Sequence, residues 1–188
     1  AMHTICLVAW IWVEPCSAQS VGAWQASGAN NESVNAVRFT SSGEVIEVIA
    51  SVGAVVIGTD TLPSAPATYL ARYSAGGVLE GVVPVGAPPL LPLYLRRSAL
   101  ALTTGDTIHF AGTFTNSGTI GDTLLAAPGT NLFLATFTGD LELVRVRIIG
   151  SNLRPVALEP TADGDLVLGA TSWQTTFTIG TTTLNKFR

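Results

Sequence analysis

Charge is scarce in this chain of 188 residues: Asp, Glu, Lys and Arg make up 12% of it, about half the usual share, and Lys186 is its one lysine. Nine basic against thirteen acidic side chains give a net charge of −4, with no basic grouping beyond Arg96–Arg97 and the Arg145/Arg147 pair. Such a surface argues against nucleic acid as a partner. Two cysteines, Cys6 and Cys16, are too few for a disulfide scaffold and lack the companions a zinc site requires, while leaving a single hairpin disulfide open.

Other absences narrow the field. No Gly-x-Ser-x-Gly elbow, phosphate loop, His-Glu-x-x-His or Cys-x-x-Cys occurs, so no cofactor, metal site or catalytic residue is expected and the chain reads as non-enzymatic. No apolar run approaches the ~18 residues of a membrane-spanning helix. The apolar stretch from Ile5 to Val13 is preceded by no Lys or Arg and ends at Glu14–Pro15, so it reads as a strand rather than a signal segment. Nineteen glycines and ten prolines punctuate the chain too densely for long helices.

What the sequence does contain is repetition. "IGTDTL" at Ile57, "IGDTLL" at Ile120 and "IGTTTL" at Ile179 stand 63 and 59 residues apart. Gly43, Gly105 and Gly164 keep nearly the same step, each between a polar pair and a run rich in Val, Ile or Leu, which reads as a hairpin turn entering a strand. "LARY" at Leu70 matches "LATF" at Leu134, and "LVAW" at Leu7 supplies a third copy. Between Gly105 and Thr115, Ile108, Phe110 and Phe114 alternate with Thr107, His109, Thr113 and Thr115, the period of a strand.

These phrases predict an all-β chain forming one repeat domain of about three four-stranded antiparallel units. The units run approximately over 29–86, 87–150 and 151–188, the last completed by residues 4–28, so that strands from both termini close one unit. Propeller-like blades are the expected architecture, and a β-prism of three sheets is the alternative.

The stretches 163–184, 104–125 and 131–150 carry a pattern that resembles the bacterial β-propeller repeat proteins. The resemblance implies a secreted or cell-surface protein without a shared chemistry. The sequence departs from that pattern where an acidic residue normally precedes the third strand: Thr68 and Asn131 stand there.

Few side chains invite a functional reading. His109 lies among threonines, in the column that the glycine alignment gives to Glu47 and Leu168, and needs catalytic partners that the sequence does not nominate. Asp163–Gly164–Asp165 suits a hairpin turn better than a calcium loop. Trp12 and Trp24 are free to stack on sugars, whereas Trp10 and Trp173 share columns with Tyr73, Phe137 and Phe114 and are expected in the core.

The expectation is therefore an extracellular or cell-surface bacterial scaffold that contacts a protein or glycan. Trp12, Trp24 and His109 are its candidate ligand contacts. A carbohydrate-binding module is the alternative, with a hydrolase behind it. Material for three blades, where a closed propeller takes about 4 to 8, predicts a homodimer.

Overall fold

A computed structural model of the chain describes residues 26–27, 32–51, 55–57, 60–62, 67–85 and 99–185. Every regular element among them is a strand, so there is no helix long and apolar enough to cross a membrane, and all pairings are antiparallel. A short β1 (Ala26–Ser27) is followed by β2 (Glu32–Phe39), β3 (Val45–Ser51), β4 (Val55–Ile57), β5 (Asp60–Leu62), β6 (Ala67–Tyr73) and β7 (Leu79–Pro84). Next come β8 (Ala99–Thr103) and the long hairpin of β9 (Thr107–Ile120) and β10 (Thr123–Phe137), followed by β11 (Leu143–Ser151). Four strands, β12 (Arg154–Pro160), β13 (Leu166–Thr171), β14 (Thr176–Ile179) and β15 (Thr182–Asn185), complete the described chain.

Two of the expected units are four-stranded meanders: β2-β3-β6-β7 forms one sheet, and β8-β9-β10-β11 forms the body of another. The third stretch divides. β12 and β13 pair as a two-stranded sheet, while the β14–β15 hairpin joins the second sheet along β11. The described residues show no closed ring of blades. Completion by residues 4–28 lies outside them except at Ala26–Ser27.

Four hairpins are built by one local rule. In Thr40–Glu44, Ser74–Val78, Thr138–Glu142 and Thr161–Asp165 the first residue's N–H donates to the last residue's carbonyl, at 2.8–2.9 Å, and its carbonyl accepts from the fourth residue's N–H. The hydroxyl of that leading Ser or Thr then accepts from the last N–H, at 2.9–3.1 Å, which explains why the position is always Ser or Thr. The fourth residue has positive φ and is Gly43, Gly77 or Gly164 in three cases. In the remaining turn it is Leu141, whose strained backbone at φ 65° places a buried side chain against Gly81 of β7.

The sheets stack face to back. Ile46, Val48 and Leu70 on one face of the first sheet meet Leu100, Ile108, Phe110, Phe114 and Phe133 of the second. The opposite face of the second sheet, with Ala99, Ala101, Ala111, Leu132 and Leu134, meets Leu158, Leu166 and Leu168 of β12–β13. As the middle layer, β9 is buried on both faces, so His109 and Thr113, expected on a polar face, are covered as well. Each fully buried Phe or Leu contributes roughly 1.5–3 kcal/mol by leaving water. Phe133 tilts against Phe110 and Phe114, with ring centroids 5.6 and 6.3 Å apart, and covers Gly112, where a Cβ would strike its ring.

The repeated "IG" phrase answers to a second connection between layers. In its first and third copies it forms the tip of a hairpin that adds to the last strand of the preceding stretch. Ile179 lies opposite Gly150 and Thr178 opposite Ser151, while Ile57 lies opposite Ala26 and Val56 opposite Ser27. Gly180 N–H donates to Ile149 O at 2.7 Å, and Ser151 bonds Thr178 Oγ1 through both its N–H and its hydroxyl.

Candidate functional site

Strand register decides what surrounds His109. The pairs Phe39↔Val45, Thr103↔Thr107 and Pro160↔Leu166 centre the equivalent turns on Ser42, Gly105 and Asp163. Counting outward, His109 shares its column with Ile46 and Val167, not with Glu47 and Leu168. Aligning the glycines misplaces it by one residue because Gly105 is the middle of its turn, whereas Gly43 and Gly164 are fourth of five, one past the middle.

His109 is 7% exposed, and both ring nitrogens are engaged: Nε2 lies 3.1 Å from Thr103 Oγ1 and Nδ1 3.2 Å from Thr136 Oγ1. In the neutral ring one nitrogen donates and the other accepts, and a hydroxyl serves either role. Burial, reinforced by the positive charge of Arg145, lowers the His109 pKa below its ordinary value. The arrangement bridges β8, β9 and β10 and holds a neutral imidazole; neither nitrogen is left to act on a substrate without breaking a bond.

Glu47 is a polar residue whose role the sequence did not reveal. It extends from the first sheet beside Val45, Ile49, Tyr69 and Tyr73 and hydrogen-bonds the Tyr73 phenol. Burial raises the Glu47 carboxyl pKa, which the Tyr73 bond partly opposes, and burial together with the Glu47 charge raises that of Tyr73. In the other layers Phe110 and Leu168 occupy this column, which is why composition gave no signal.

Three further polar groups are taken up by the fold. Asn131, 3% exposed, shares its amide N–H groups among the carbonyls of Ala127, Pro128 and Gly129 at 3.0–3.1 Å, fixing the irregularity in β10. An acidic residue could not donate there, which accounts for the departure from the repeat pattern. Arg72 binds Glu44 and Glu80 within the first unit and reaches the second at Asp140 Oδ1, 2.7 Å, and Gly139 O, 2.8 Å. Asp106 receives both the N–H and the hydroxyl of Ser41, at 3.0 and 2.9 Å, joining two neighbouring turns.

Trp173 corrects an expectation. It is 41% exposed, in the bend between β13 and β14, with Arg154 stacked 4.1 Å from the ring centroid. Phe114, which the glycine alignment pairs with it, sits within the unbroken β9 and is buried, whereas the chain at Trp173 has left β13, so the ring does not enter the core. Asp163–Gly164–Asp165 lies in the Thr161–Asp165 turn.

Trp12 and Trp24, and with them Trp10 and the two cysteines, lie outside the described residues. Among the described residues no three His, Cys, Asp or Glu side chains converge as metal ligands. No protein-family model matches the chain, and neither a curated protein nor a solved structure is detectably similar to it.

Proposed function

We propose that the chain is a non-enzymatic scaffold of propeller-like units, working outside the cell or on its surface, whose turns and layer rims contact a protein or glycan. The observation that carries this reading is the use to which the inner polar groups are put. His109, Arg72 and Asp106 each spend their bonding capacity joining strands or units, and Asn131 spends its own holding the irregularity within β10. Face-to-back stacking, with hairpin tips clasping the previous layer, supports blades over the three walls of a β-prism.

The glycan form of the reading has an exposed tryptophan in its favour, Trp173, although Arg154 already covers one of its faces. Glycan-array binding that disappears in Trp173→Ala would establish that form. A hydrolase panel tests the broader proposal: the scaffold shows no turnover above background, and turnover abolished by His109→Ala would overturn the reading.

A further inference from the structure

Arg154, at the start of β12, is partly buried, yet among the described residues it has neither a hydrogen bond nor an ion pair. Arg38 and Arg72 are held by carboxylates, and Arg145 and Arg147 stand exposed. In Arg154 the Nε–H is shut off from water without an acceptor, and among the described residues no other buried side-chain polar atom is left in that state. Its Nη1 and Nη2 groups, equally without a partner in the fold, remain open to solvent. An unmatched donor on a charged group is costly enough to call for an explanation.

What positions this guanidinium is the Trp173 ring, whose centroid lies 4.1 Å from its central carbon. Stacking fixes the plane of the group, and with Nε enclosed the Nη1 and Nη2 ends form the fork that receives both oxygens of a carboxylate. The indole is 41% exposed with Arg154 against one face, so much of the rest of it meets water. Ser172 holds the bend that carries the ring, its hydroxyl donating to the Gln174 carbonyl and accepting from the Gln174 N–H, both at 3.2 Å.

The surroundings favour an anion. Across residues 150–158 and 166–185, which flank the pair, Arg154 is the only charged residue. The first acidic side chain further along β12, Glu159, is bound to Arg38 and lies roughly 15 Å away at the rise of a strand. The rim is neutral and polar: Thr171, directly opposite Arg154, is exposed, as is Gln174.

We propose that Arg154 and Trp173 form a binding site for a carboxylated sugar, a uronic acid unit of a glycan. Its carboxylate takes the Nη1–Nη2 fork, its C–H face lies along the open part of the indole, and its hydroxyl groups meet Thr171 and Gln174. The flat indole and the hydroxyl and amide rim suit a sugar ring better than an acidic peptide. This inference rests on the glycan form of the function proposed above and adds to it the charge of the ligand and the residue that reads it.

NMR titration of the full chain with trisaccharides of galacturonate, glucuronate and mannuronate tests it, their methyl esters serving as neutral twins. At least one acid should shift the Trp173 indole N–H and the Arg154 Nε–H signals and bind about tenfold or more tighter than its ester. Arg154→Gln should bring the acid down to the affinity of the ester and leave the ester unchanged, and added salt should weaken the acid alone. The comparison of acid with ester alters nothing in the protein, so it decides the matter even where the variant loosens β12. Acid and ester binding equally, with both lost in Trp173→Ala, overturns the arginine anchor and leaves the glycan reading standing. No shift with any acid up to about 10 mM overturns the proposal, while neutral hits on the glycan array would still preserve that reading. Triglutamate binding as tightly as the best sugar acid also overturns it, by showing that the site reads charge without the sugar.

Discussion

Gly150 of β11 runs so close beneath Thr178 of β14 that a Cβ on the glycine would overlap the threonine carbonyl. Only a residue without a side chain lets the hairpin tip settle on the preceding strand. Gly150→Ala should therefore release the β14–β15 tip while leaving β8–β10 paired, at a cost of about 1–3 kcal/mol. Amide exchange checks it: protection should fall at Gly180 and Ser151 and persist at the centre of β9. Unchanged protection at Gly180 would show that the clasp tolerates a methyl group.

Asn131→Asp exchanges two donor hydrogens for a carboxylate facing three carbonyl oxygens in a buried site. The loss should be about 2–4 kcal/mol at neutral pH and smaller in acid, where the carboxyl carries a proton to donate. Urea midpoints at pH 7 and pH 4 distinguish this from a simple packing defect, which would be the same at both.

Arg72→Met should leave Glu44, Glu80 and Asp140 near one another without their shared cation. The Arg72 side chain is 22% exposed and Asp140 84%, so solvent screens much of the attraction and the expected loss is only about 1–2 kcal/mol. The gap between variant and parent in urea should narrow as salt approaches 1 M. A salt-independent gap would mean that the arginine stem, through packing, matters more than its charge.

Two buried groups set opposite pH trends. Glu47 has a raised folded-state pKa, so between its ordinary value of 4.5 and the raised one the native state holds a proton that the unfolded chain has lost. Stability falls with rising pH across that window. Glu47→Gln should remove the fall and gain on the parent as pH increases. His109 has a lowered folded-state pKa, so its contribution is fully present above about 6.5 and is lost as pH drops through the folded value. Imidazole NMR titration should place His109 below 6.5, and a midpoint above that would refute the assignment.

The repeat phrases made the strands and turns legible because their causes are local. Thr40 and Gly43, or Thr161 and Gly164, specify a turn whatever packs around it. Leu141 escaped that logic, since it takes the positive-φ place of glycine for the sake of a tertiary contact with Gly81. The His109 column was misread by one position because turn composition and turn geometry differ at Gly105. Trp173 was misplaced because alignment cannot show that β13 ends two residues before it while β9 continues. The polar pins at Glu47 and Asn131 became visible only once register brought Tyr73 to one and three carbonyls to the other.

The tip clasp also sets an order for synthesis on the ribosome. Ser151 must wait for Thr178, 27 residues further along, so the edge of β11 stays bare only until the next hairpin emerges. The second unit thus provides the template on which the following hairpin closes, and the partner arrives from a short sequence distance. A chain translated in this direction acquires its layers one after another, and the interval in which a naked edge could meet a neighbouring nascent chain is limited to the time needed to add those 27 residues.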